Sequence, residues 1–133
     1  MLETVRRELM SFAQGRGLFG FGFGCSRYAD YLWEKGEQAQ ALTLLQDRLA
    51  AHPGQERVDL LLQIGVYKVE LGLYAAALHN FREAASLDPF NACCAGLQAQ
   101  PLYCLGKEAA AQRMHERALE LESWRHGGEP QHN

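Results

Sequence analysis

Leu71-Gly72-Leu73-Tyr74-Ala75-Ala76-Ala77 returns 34 positions later as Leu105-Gly106-Lys107-Glu108-Ala109-Ala110-Ala111. The echo runs on, with Ala84 matched by Ala118 and Leu87 by Leu121. A more diverged copy lies upstream at an offset of 36, where Gly36, Ala39, Ala41, Leu45 and Pro53 match Gly72, Ala75, Ala77, Phe81 and Pro89. A fixed period of this length, with small residues at set places, is the signature of a helical-hairpin array. One hairpin cannot bury both of its faces, so hairpins pack on one another, and arrays of this kind build binding surfaces more often than active sites.

Outward from the echo, apolar spacing and helix stops predict the elements. Helices are expected over 26–35 and 38–51, divided at Gly36 and stopped by Pro53-Gly54. The next pair covers 56–71 and 74–87, divided at Gly72 and ended before Pro89. The last pair covers 92–105 and 108–122, divided at Gly106. Pro101 falls inside the first of these helices and removes a backbone donor toward residue 97, so a kink or a break is expected there. Before the array, residues 1–14 form an amphipathic helix with Leu2, Val5, Leu9 and Phe12 on one stripe. Residues 15–24 are a Gly/Phe-rich loop, with too many glycines for a helix. The tail over 125–133 reads as flexible.

These residues resemble the tetratricopeptide repeat family. The best copy carries Leu61, Ile64-Gly65, Gly72, Ala77, Phe81, Ala84 and Pro89 at the places of the family pattern. The third carries Ala95, Gln98-Ala99, Leu102, Gly106, Ala111 and Ala118, and the first carries Tyr28-Ala29, Leu32, Gly36, Ala41, Leu45 and Pro53. Lys68, Arg48 and His115 depart from the pattern. The resemblance implies an all-α fold: a right-handed superhelical stack of about three hairpins, over about 22–55, 58–91 and 92–124, with an extra N-terminal helix. Small residues such as Gly65, Ala77 and Ala84 let paired helices approach closely, and large ones fill the space to the next hairpin.

In this family the first helix of each hairpin lines a concave groove. By resemblance the partner-binding groove comprises Arg27, Asp30, Trp33, Leu62, Val66, Val69, Leu97, Gln100 and Tyr103. One subfamily grips acidic chain ends with Lys, Asn and Arg; of that set only Arg27 is present here, which argues against a carboxylate clamp. The implied groove is apolar and aromatic and suits a protein or peptide segment with apolar anchors. Leu62 and Val69 could equally fill the interhelix core, since both roles need apolar residues at helical spacing. Phe19, Phe21, Phe23 and Trp124 are candidate secondary contacts, either with the core or with a partner. Size, repeat number and acidic balance also resemble the tetratricopeptide chaperones of bacterial type III secretion, which implies a small cytoplasmic chaperone or adaptor. The alternatives are a self-assembling scaffold, a homodimer included, and a thiol-dependent enzyme using Cys93, Cys94 or Cys104.

Composition narrows the remaining classes. With 133 residues and 47 % apolar content the chain can form one domain with a modest core. A net charge of −3 and a pI near 5.9 supply no electrostatic footprint for nucleic acid. No apolar run reaches the roughly 20 residues that span a bilayer, and the acidic, basic N-terminus lacks a signal-peptide core. Cys25, Cys93, Cys94 and Cys104 fit no zinc spacing. No cofactor or metal is called for, and no catalytic constellation stands out. Gly15-Arg16-Gly17-Leu18-Phe19-Gly20 spells a dinucleotide fingerprint, yet neither a preceding strand nor a βαβ unit is in reach.

Overall fold

A computed structural model describes residues 24–51 and 55–125, and every regular element among them is an α-helix. The expected helix over 1–14, the phenylalanines Phe19, Phe21 and Phe23, the Pro53-Gly54 stop and the tail beyond Arg125 lie outside the described residues. The helices are α1 (Gly24–Glu34), α2 (Gln38–Ala51), α3 (Gln55–Glu70), α4 (Tyr74–Leu87), α5 (Ala92–Gly96), α6 (Ala99–Cys104) and α7 (Glu108–Arg125). They pair as α1 with α2, α3 with α4, and α5 and α6 with α7; α2 touches α3, and α4 touches α5 and α6.

Each pair turns on one glycine. Gly36, Gly72 and Gly106 have φ of 89°, 80° and 82°, a left-handed conformation in which a Cβ is strained. The turns close alike: Gly72 N–H donates to Val69 O at 3.0 Å and Leu73 N–H to Lys68 O at 2.8 Å. The third turn repeats this with Gly106 to Tyr103 O and Lys107 to Leu102 O, and the first with Gly36 to Trp33 O and Glu37 to Leu32 O. Two successive bonds back to the last carbonyls satisfy acceptors that a helix end leaves open.

Small residues then set how closely the helices approach. Ala41, Ala77 and Ala111 occupy the same place in successive repeats and all are buried, as are Ala84 and Ala118. The tightest approach is in the middle pair, where a Cβ added to Gly65 would lie 2.3 Å from Phe81 Cε1. One core cluster joins Leu60, Ile64 and Tyr67 of α3 to Ala29, Leu32 and Trp33 of α1. A second joins Leu62, Val66 and Val69 of α3 to Cys93, Cys94 and Leu97 of α5. α3 is thus the central helix, buried without interruption from Leu60 to Tyr67.

The helix expected over 92–105 is broken at Leu97-Gln98, one turn before Pro101. That offset puts Pro101 third in α6, within the first turn, where a backbone N–H has no helical partner to lose. The break is closed by polar groups. Gln98 N–H donates to Ala95 O at 3.2 Å, and Gln98 Nε2 to Cys94 O at 2.9 Å. Asn91 starts α5 by accepting from Cys93 N at 2.8 Å, while its Nδ2 donates to Asp88 Oδ2 at 3.2 Å. α7 outruns its expected end, reaching Arg125 rather than 122.

Candidate functional site

Residues at i, i+4, i+7 and i+11 share one face of a helix. On α3 such a stripe is Asp59, Gln63, Val66 and Glu70, and α1 is bonded to it at two places. Gln63 Nε2 donates to Asp30 Oδ1 at 3.1 Å, and Trp33 Nε1 donates to Glu70 Oε1 at 3.0 Å. The Tyr67 hydroxyl also donates to Asp30 Oδ1, and Gln63 Nε2 lies 3.2 Å from that hydroxyl. Trp33 stacks on Tyr67 with centroids 4.0 Å apart and planes at 11°. Burial, and after it the bond to Asp30, pushes the Tyr67 hydroxyl well above the usual phenol range, so it stays a donor.

The structure separates the sequence-predicted groove residues into three groups. Leu62, Val66, Val69 and Leu97 are fully enclosed in the core, which is the interhelix role. Asp30 and Trp33 tie α1 to α3 through the bonds just described. Arg27 and Tyr103 are exposed and Gln100 is half-buried, so these three keep a surface position. Trp124 is half-buried against the exposed Phe90, with centroids 6.1 Å apart, and the Arg117 guanidinium sits 5.4 Å above its ring. The polar character of the α3 stripe escaped the sequence reading. Spacing alone would have found it, because three of its four places, Asp59, Gln63 and Glu70, are polar at helical spacing.

The lower end of that stripe is electrostatically uncomfortable. Burial, then the nearby Asp88 and Glu56 carboxylates, raise the pKa of Asp59 to about 6. A raised carboxyl pKa means that the folded state holds the proton longer than the unfolded chain. Stability from this group is therefore greatest below pH 4 and falls as pH rises toward 6. Asp59→Asn should raise stability at pH 7 by about 1 kcal/mol, a figure reduced for partial solvent screening. It should also flatten the pH dependence between 4 and 6, as read by urea unfolding at a series of pH values.

The cysteines divide in the same way. Cys93 and Cys94 are buried and Cys104 is exposed. Burial, then Asp88, pushes the Cys94 thiol up to about 12, which keeps it protonated at neutral pH and is the reverse of what a nucleophile needs. Among the described residues no group of three or more His, Cys, Asp or Glu side chains could hold a metal ion. No helix among them is long and apolar enough to cross a membrane.

An open cleft of about 500 Å³ lies between α6 and α7, lined by Ala99, Gln100, Tyr103, Ala109, Gln112 and His115 among others. Its origin is visible in the repeat. Counting 34 positions on, Gly65 becomes Ala99, Val66 becomes Gln100, Val69 becomes Tyr103, Leu78 becomes Gln112 and Phe81 becomes His115. In the middle pair Val66, Val69, Leu78 and Phe81 are buried in clusters shared with the following helices, and Gly65 is buried against Phe81. In the last pair Gln100, Gln112 and His115 are polar, and Tyr103, Gln112 and His115 are exposed. The last hairpin thus carries polar side chains on the face that the middle hairpin buries.

No protein-family model matches the chain, and no curated protein matches it. The functional reading therefore rests on this geometry.

Proposed function

We propose that the chain is a protein-interaction module of the tetratricopeptide type, its hairpins forming a right-handed superhelical stack that holds a segment of a partner protein. The observation that carries this reading is the threefold recurrence of one device. A glycine in the left-handed conformation turns each hairpin, and a buried alanine at the same place seats each helix pair. Repetition of a helical hairpin gives an extended surface rather than a pocket around reacting groups. The protonated, buried thiol of Cys94 gives the thiol-enzyme alternative no support.

With Leu62, Val66, Val69 and Leu97 enclosed, the partner surface differs from the apolar groove. It consists of Arg27 and Glu34 on α1, Asp59 and Glu70 on α3, and Gln100 with Tyr103 as its aromatic anchor on α6. A chaperone or adaptor is the form of this function that such a surface suits. The type III secretion chaperones are a narrower version of it. The test is capture of partners from the native cell by the full chain, followed by mass spectrometry. Arg27→Glu and Glu34→Lys should together cut recovery of the same partner at least about tenfold, the loss expected on removing one good contact. Undiminished recovery would remove this surface from the proposal.

A further inference from the structure

Tyr28 and Tyr31 of α1 are 55 % and 54 % exposed, and their rings stack with centroids 6.2 Å apart. Their counterparts 36 positions on, Ile64 and Tyr67 of α3, are enclosed. Beside Tyr28 an open cleft of about 400 Å³ runs between α1 and α2, lined by Leu32, Ala39, Thr43, Leu44 and Asp47 among others. In the middle hairpin the equivalent places are covered by α2. Ile64, the counterpart of Tyr28, shares a cluster with Ala41 and Leu45 of α2. Glu83, the counterpart of Asp47, accepts from Arg57 Nη2 at 2.8 Å, and Arg57 Nη1 donates to Leu49 O of α2 at 3.3 Å. α1 is the first described element, and the cleft beside it is open.

We propose that the cleft between α1 and α2 is the docking site of the chain's own residues 1–14, which cover the first hairpin as α2 covers the second. Phase, order and reach identify this occupant. The apolar stripe of the segment, Leu2, Val5, Leu9 and Phe12, keeps the period of the array. Val5 and Leu9 stand 36 positions before Ala41 and Leu45, and 72 before Ala77 and Phe81. Tyr28 then meets Val5 and Leu9 as Ile64 meets Ala41 and Leu45, so the cluster recurs one repeat earlier. Order agrees, since each later hairpin opens against the helix that precedes it in the chain, α2 on α3 and α4 on α5 and α6. The segment has the length of α2, which is 14 residues. Residues 15–23 join it to α1 and can span up to about 30 Å, whereas residues 52–54 suffice between α2 and α3. Arg27 and Glu34 stand 36 positions before Gln63 and Glu70, which bond to α1. A segment placed where α2 stands therefore leaves Arg27 and Glu34 open to a partner.

Amide exchange and urea unfolding of the full chain, each over a dilution series, are the test. No partner is present in it, so its outcome is separate from that of partner capture. Amides of residues 5–12 and of α1 should exchange slowly in the wild type. Leu9→Asp should accelerate both at least about tenfold, and Tyr28→Asp should do the same. Arg7→Ala, on the opposite side of the segment from Leu9, should accelerate neither. Leu9→Ala and Tyr28→Ala should each lower the folding equilibrium constant, and the pair should fall at least about threefold short of the product of the two losses. A contact within one chain keeps this coupling at every dilution. Exchange of residues 5–12 as fast as in a free peptide overturns the proposal and leaves the cleft to another protein. Losses that simply multiply overturn it as well. So does a coupling that fades on dilution, which makes the occupant a second copy.

Discussion

Phe81→Ala should destabilise the protein by about 3–5 kcal/mol, the range for deleting a large aromatic from an enclosed site. Phe81 has no exposed surface, and its ring edge rests on the bare Cα of Gly65. The contact is reciprocal. Gly65→Ala should gain about 1 kcal/mol of helix propensity and lose about 1–3 kcal/mol to overpacking, with a net loss. An added methyl at 2.3 Å from Cε1 cannot be absorbed unless the ring moves, and the ring is closed in by Ala77, Ala84 and Leu61 of the same cluster. The decisive measurement is a double-mutant cycle by urea unfolding at fixed protein concentration. Because Phe81→Ala opens the space that the new methyl needs, the two losses should fall short of additive by about 1 kcal/mol or more. Additive losses would mean that Gly65 and Phe81 are not locked together.

Trp33→Ala is the second large effect, again about 3–5 kcal/mol. The indole is 4 % exposed, lies flat on Tyr67 and donates to Glu70, so one side chain supplies packing, stacking and a polar tie between the first two hairpins. Trp33→Phe separates these contributions. It keeps most of the packing, loses the Nε1 donor, and should cost about 1 kcal/mol beyond the small loss of area. The loss should also be local. Amide exchange of α1 and α2 should accelerate while that of α4 and α7 stays slow, because contacts in an array are mainly between neighbours. Equal acceleration in all helices would show one cooperative unit instead.

Much of the frame was readable before the structure. α2 and α4 begin and end where spacing and stops placed them, because Gly36, Gly72, Pro53 and Pro89 are unambiguous punctuation. The break near Pro101 was readable as well, since a ring without an N–H has few places in a helix. The surface was harder. Leu62, Val66 and Val69 satisfy a groove and a core equally well by periodicity. Only the arrival of Cys93, Cys94 and Leu97 from α5 decides between them. Asp30, Gln63 and Tyr67 form their network across 33 and 37 positions of sequence, a separation at which no local pattern speaks. The polar end of the array, by contrast, was present in the repeat as Val66, Leu78 and Phe81 giving way to Gln100, Gln112 and His115.

The three glycine turns have a kinetic consequence. They keep almost every helix pair adjacent in sequence, so the chain closes short loops rather than long ones, and low contact order favours fast folding. Such arrays nucleate where the internal fit is best and propagate outward. Here that place is the middle hairpin, with Gly65 locked to Phe81 and α3 enclosed from Leu60 to Tyr67. On a ribosome the first hairpin emerges early yet lacks its Tyr67 and Gln63 partners until α3 follows. Folding of the nascent chain therefore waits on its centre rather than starting at its beginning.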